Sequence, residues 1–153
     1  MSTRLVIATH NPGKIAQIAP ILASLPFIIV SMDEAGVKGE AKEEGATLLE
    51  NAREKARFAA HHSGCWAVAD DTGHFIDALN GEPGIRAARW AGKGATTEQI
   101  MLHTLAMLEG VPEEKRTSTF ETVVALVSPN GKEYSFSGKV RGSILTAPRC
   151  VCQ

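Results

Sequence analysis

The sequence predicts an α/β fold, a mixed β-sheet with flanking helices, and three features point to it. Short β-branched runs alternate with segments of helical periodicity in the order β-α-β-α-β. Another helix follows, opened by its own capping box. Two alternating runs then flank Pro129-Asn130-Gly131, which is hairpin chemistry.

RLVIAT (4–9) is a short β-branched run and reads as a buried strand. Asn11 and Pro12 suit an N-cap and the first position of a helix. Ile15, Ile18, Leu22 and Leu25 follow with helical spacing, which Pro20 interrupts, so a kink or an early end is expected there. FIIVS (27–31) is a second strand, and residues 33–45 form an acidic, glycine-containing loop. Thr47 with Glu50 makes a capping box that opens a helix reaching about His62. CWAVA (65–69) is a third strand, expected to end at Asp70-Asp71. HFIDAL (74–79) extends again, and NGEPG (80–84) is turn chemistry. Thr96 with Gln99 starts a helix to about Leu108. STFETVVALVS (118–128) and KEYSFSGKV (132–140) are the hairpin strands.

A chain of 153 residues suits one domain, taken as 1–153. Its 44% hydrophobic and 22% charged content describes a folded chain and argues against disorder. A net charge of −1, with no basic tail or stripe, argues against nucleic acid as a partner. The apolar run near the N-terminus is too short for a signal peptide, and no apolar stretch of membrane-spanning length is present. A cytoplasmic protein without a membrane partner is expected. Cys65, Cys150 and Cys152 are too few for a disulfide scaffold. Cys150-x-Cys152 lacks a second ligand pair at suitable spacing, so a structural or incidental role is assigned to it.

Ligands of open α/β sheets sit where strand carboxyl ends open into loops. Both THNPGK (9–14) and ADDTG (69–73) fall at such ends. THNPGK brings a polar loop to a helix N-terminus, where free amides and the helix dipole favour an anion. Thr9 and Asn11 add hydrogen bonds and Lys14 adds charge. It is not a Walker A loop, because the spacing is wrong and Ile15 stands where Ser or Thr is required. In the helix 48–62, Leu48, Ala52, Lys55 and Ala59 share a stripe, and Asn51 lies four residues before Lys55. Lys55 thus lies on or beside the inward face. It either snorkels or meets an anion, a carboxylate or a ligand phosphate. Asp70 and Asp71, with Glu43 or Glu44, have the hard oxygen donors that Mg²⁺ takes together with substrate phosphates. Turn chemistry for the aspartates and a solvated acidic loop are the local alternatives. His10 and His74 lie in these candidate loops, whereas His61-His62 diverge by about 100° and cannot chelate together. Trp66 reads as core, His103 as an ordinary helix residue, and Trp90 has no assigned role.

Four segments carry a resemblance that covers nearly the whole chain: THNPGK (9–14), EEGATLLENAREKA (43–56), ADDTGHFIDALNGEPGIRAARWAG (69–92) and FETVVALVSPNG (120–131). In this order they resemble the inosine/xanthosine triphosphate pyrophosphatases, enzymes that clear non-canonical purine nucleotides. The resemblance implies Mg²⁺-dependent hydrolysis of ITP, dITP and XTP to the monophosphate and pyrophosphate. It also implies an elongated two-lobed α/β fold with a central cleft, and a homodimer. Carried over by motif, Thr9, His10, Asn11, Pro12, Gly13 and Lys14 would cradle the triphosphate, and Lys55 would contact phosphate. Glu43 and Asp71 would bind Mg²⁺, with Asp71 also activating water and Asp70 supporting it. Thr72 stands where the family most often has Ser, and its hydroxyl would reach substrate.

The family usually continues past GSILTAPR with a Gly-rich GFGYDP segment, a lysine and a Ser-His-Arg motif; here the chain reads GSILTAPRCVCQ (142–153). A C-terminally truncated domain is therefore expected, with an incomplete second lobe, impaired activity and poor base discrimination. A catalytically silent nucleotide-binding or oligomerisation module is the alternative of a different class. Binding of ITP without turnover, unchanged by Asp71→Asn, would mark it. A pyrophosphatase of canonical or modified pyrimidine nucleotides is a third reading, separated by a substrate panel.

Overall fold

A computed structural model describes residues 3–149 of the chain. Its elements run β1 (Arg4–Ile7), α1 (Pro12–Leu22), β2 (Ile28–Ser31), α2 (Leu48–Ser63), β3 (Trp66–Ile76), β4 (Pro83–Gly84), α3 (Thr97–Met107), β5 (Thr117–Val127) and β6 (Glu133–Ser143). The sheet has the order β2-β1-β3-β5-β6, with β4 paired to β3 off that path. β1 is parallel to both neighbours, and Leu5 is in register with Ile29 and with Trp66. β3 and β4 are antiparallel, with His74 opposite Gly84. The α/β fold with a mixed sheet is therefore as the sequence predicts.

The described residues divide into two compact units: 3–71 with Val123–Ser137, and Thr72–Thr122 with 138–149. In the first unit, alternation along β1 turns Leu5 and Ile7 to one face, where they meet Val68 of β3. Ile15, Ile18, Ala19 and Leu22 of α1 cover that cluster, as their helical spacing predicts. Trp66 joins it, edge-on to Phe27 at 6.2 Å. α2 packs on β1 and buries Ala52, Ala56 and Ala59 completely. Side chains of methyl size let a helix backbone come close to its neighbour without voids. Arg53 and Arg57 of α2 reach Glu133 at 3.4 and 3.0 Å, and the Arg57 guanidinium holds that carboxyl below its usual pKa.

Local end signals are accurate in α2, where Thr47 and Glu50 form the reciprocal capping box and Gly64 closes the helix in the left-handed region at φ 64°. Pro20 does not end α1, which runs two residues beyond it to Leu22. The third strand needs a larger correction. It does not stop at Ala69 but continues through Asp70, Asp71, Thr72 and Gly73 to Ile76. Asp-Asp-Thr-Gly has poor strand propensity, yet both carboxylates find lysines and the ladder persists. Gly73 is needed for space: a Cβ there would lie 2.7 Å from the Phe75 ring and 3.1 Å from the Gly84 carbonyl oxygen of β4.

In the second unit, Thr96 and Gln99 cap α3 as predicted. Arg116, 6% exposed, fixes the far end of that helix by donating to the carbonyls of Leu108 (2.7 Å), Val111 (3.0 Å) and Leu145 (3.2 Å). Trp90 packs edge-on to His103 at 5.2 Å. Cys65 is half-buried with a free thiol, while Cys150 and Cys152 lie outside the described residues. Among the described residues, no helix is long and apolar enough to cross a membrane.

Candidate active site

β1 delivers the loop Thr9–Lys14 to the start of α1. Asn11 is its N-cap, as predicted, and its Oδ1 accepts from the Gly13 amide at 2.9 Å and the Lys14 amide at 3.3 Å. The Asn11 amide itself donates to Thr9 Oγ1 at 3.1 Å, and Pro12 has no amide to give. The expectation of free amides is thus corrected, because the loop satisfies them internally. An anion would meet the Lys14 ammonium and the helix dipole first, and would reach the Gly13 and Lys14 amides once the Asn11 side chain turned away.

The acidic loop is anchored at a few points, while Glu40, Glu43 and Glu44 stand exposed. His10 Nε2 donates to the Gly39 carbonyl at 3.0 Å, and the same ring lies 3.8 Å from Asp33. Val37 is buried at 1% exposure. At the far end the Gly45 amide donates to Asn51 Oδ1 at 2.9 Å, and the Ala46 and Thr47 amides donate to Glu50 at 2.7 and 3.2 Å.

Successive strand residues point to opposite faces, and this resolves the adjacent aspartates. Asp70 pairs with Lys14 of α1 at 2.7 Å. Asp71 pairs with Lys55 of α2 at 3.0 Å and accepts from Asn51 Nδ2 at 3.2 Å. Glu43 Oε1 lies 3.5 Å from the same Lys55 ammonium. Lys55 and Asp71 keep only 12% and 13% of their side-chain surface in solvent. Each carboxylate is therefore compensated by its own cation, which offsets the cost of burying a charge. Lys55 does not snorkel. It meets carboxylates, one of the outcomes its place on the helix left open.

The structure gathers Glu43, Lys55 and Asp71 into one cluster and Lys14 with Asp70 into another, both within the first unit. The two aspartates meet different lysines, Lys14 for Asp70 and Lys55 for Asp71. Glu44 is exposed, and of the two neighbouring glutamates it is Glu43 that reaches Lys55. Thr72 belongs to the second unit, where its hydroxyl shares a 2.8 Å hydrogen bond with that of Thr122. His74 is a strand residue stacked on Phe120, with ring centroids 3.9 Å apart, and burial lowers its pKa. Sequence reasoning missed the bridging amide of Asn51, although its i,i+4 spacing from Lys55 was visible.

Mg²⁺ prefers oxygen donors and is often held by one or two carboxylates, with water and substrate phosphates completing the shell. Glu43 and Asp71 offer two such carboxylates within reach of a single ammonium. Among the described residues, no group of three or more His, Cys, Asp or Glu side chains is gathered to hold an ion alone. The donor set thus fits a cation shared with a phosphate substrate rather than a closed structural site.

The fold is a mixed α/β one, and comparison with known proteins makes its class definite. The model of the Ham1 family matches residues 5–151. A dITP/XTP pyrophosphatase of Geobacter sulfurreducens is 47% identical over 147 residues, spanning 96% of this chain and 74% of that protein. One from a Thermoanaerobacter species is 44% identical over 95% of this chain and 73% of its own length. Among solved structures, a HAM1 protein from Coxiella burnetii superposes with a TM-score of 0.84 at 35% identity, over 96% of this chain and 75% of that one. A nucleoside-triphosphatase/dITP/XTP pyrophosphatase from Mycobacterium abscessus does so with a TM-score of 0.79 at 36% identity, over 96% and 77%. The chain belongs to the Ham1 family.

Proposed function

We propose that the chain hydrolyses non-canonical purine nucleoside triphosphates, dITP, ITP and XTP, to the monophosphate and pyrophosphate with Mg²⁺. The observation that carries this is the convergence of Asp71 and Glu43 on the part-buried Lys55 ammonium. The names of the relatives supply the substrate class. Water attacks phosphorus at the anhydride between the monophosphate to be released and the departing pyrophosphate. Asp71 accepts the proton of that water as general base. Lys55 and Lys14 offset charge on the phosphate oxygens, and Lys14 passes from Asp70 to the triphosphate as it does so. Glu43 and Asp71 would hold Mg²⁺, which supplies Lewis-acid neutralisation of the phosphate oxygens and leaving group when bound. The same reading takes the protein as a cytoplasmic homodimer without nucleic-acid or membrane partners.

A substrate panel tests this. Pyrophosphate release is measured from dITP, XTP, dATP and dGTP, each with Mg²⁺ and with excess EDTA. Turnover of dITP and XTP, abolished by EDTA, is expected, and its rate relative to dATP and dGTP measures how much base discrimination the chain keeps. Turnover indifferent to EDTA, or cleavage of dATP without cleavage of dITP and XTP, contradicts the reading, and binding of dITP without turnover favours a silent binding module. Lys14→Ala should weaken binding of the triphosphate more than that of the monophosphate, measured by calorimetric titration of both. Equal losses would remove Lys14 from the triphosphate site.

A further inference from the structure

We infer that Asn51 is a positioning residue that sets Asp71 and the Glu43 loop in one register for a shared divalent cation; this rests on the Mg²⁺ reading above. Asn51 is 5% exposed, and both ends of its amide are used. Oδ1 accepts from the Gly45 amide at 2.9 Å, and Nδ2 donates to Asp71 Oδ2 at 3.2 Å. The two partners demand an acceptor on one side and a donor on the other, which an asparagine amide supplies and an aspartate does not.

The consequence for Asp71 is that α2 fixes both of its oxygens. Asn51 holds Oδ2 and Lys55, one turn further along the helix, holds Oδ1. A carboxylate tied at both oxygens cannot rotate, so its remaining lone pairs have a fixed direction. The consequence for the acidic loop is equally direct. Three successive amides, Gly45, Ala46 and Thr47, end on the side chains of Asn51 and Glu50. Glu43 stands two residues before that anchored point and reaches Lys55. Gly45 is required for close approach, since a Cβ there would lie 2.7 Å from Asn51 Oδ1 and 2.7 Å from Glu50 Cβ. One buried amide thus couples the two carboxylates to each other.

Outer partners of metal ligands change metal affinity by about 10–100-fold when removed. Mn²⁺ binding to the protein saturated with the non-hydrolysable α,β-imido analogue of dITP, read by electron paramagnetic resonance, tests the coupling without relying on turnover. Asn51→Leu should weaken Mn²⁺ binding by about 10-fold or more, with the folded state checked by circular dichroism. Gly45→Ala should weaken it in the same direction, and the double variant should be no worse than Asn51→Leu alone. If Asn51→Leu fails to fold, Gly45→Ala carries the test by itself. Unchanged Mn²⁺ affinity in a folded variant, with only a lower Tm, would make Asn51 a structural anchor and overturn the inference alone. A wild-type chain that binds no Mn²⁺ would overturn the metal reading and the inference together.

Discussion

Asp71→Asn lowers pyrophosphate release from dITP by about 10²–10⁴-fold, the usual contribution of a positioned general base. The substitution keeps the shape of the side chain and removes its charge and basicity. Lys55 retains Glu43 at 3.5 Å, so the ammonium is not stranded and the fold survives. Single-turnover rates with excess protein, alongside thermal unfolding, separate the two effects. A rate within a few-fold of the parent chain would remove Asp71 from the chemistry. Asp70→Asn should cost less, because Asp70 faces Lys14 on the opposite side of β3.

Arg116→Met carries the largest stability effect, a loss of about 3–5 kcal/mol, because it breaks a buried charged network. The Arg116 guanidinium has three carbonyl partners, at Leu108, Val111 and Leu145. The Leu108 carbonyl keeps the Val111 amide as donor, so the loss falls mainly on the part-buried Val111 and Leu145 carbonyls, and a carbonyl left unsatisfied when buried costs about 1–3 kcal/mol. The cation also faces the C-terminal end of α3, where a positive charge is favoured. Relief of the desolvated charge offsets part of the loss. Thermal unfolding should show Tm lowered on the order of 10 °C for a chain of this size. Arg116→Lys should recover part of it, since an ammonium cannot reach three divergent carbonyls together. An unchanged Tm would show that water takes over those carbonyls.

The elements set by local chemistry were legible in the sequence. The Asn11 N-cap, the two capping boxes and the hairpin around Pro129-Asn130-Gly131 depend on residues two to four apart, and all are found in the structure. β3 was legible at Trp66–Ala69 and again from His74 to Ile76, but not across Asp70–Gly73. Asp-Asp-Thr-Gly is turn chemistry by itself, and what keeps it extended is supplied by tertiary partners: Lys14, 56 residues from Asp70, and Lys55, 16 residues from Asp71. The inward lysine was legible because its stripe with Leu48, Ala52 and Ala59 is a helical property. The role of Asn51 was not, since it needs Gly45 and Asp71 placed at once. The points at which the acidic loop is anchored were not legible for the same reason. Its anchors, His10 on Gly39 and Asn51 on Gly45, are contacts that periodicity does not encode.

The central claim is that this carboxylate–lysine site cleaves a nucleoside triphosphate once, at the bond that frees pyrophosphate. Its most direct test is product analysis by anion-exchange chromatography after incubation with dITP and Mg²⁺. Equal amounts of dIMP and pyrophosphate are expected, with no dIDP at any time. Accumulation of dIDP with inorganic phosphate would contradict it.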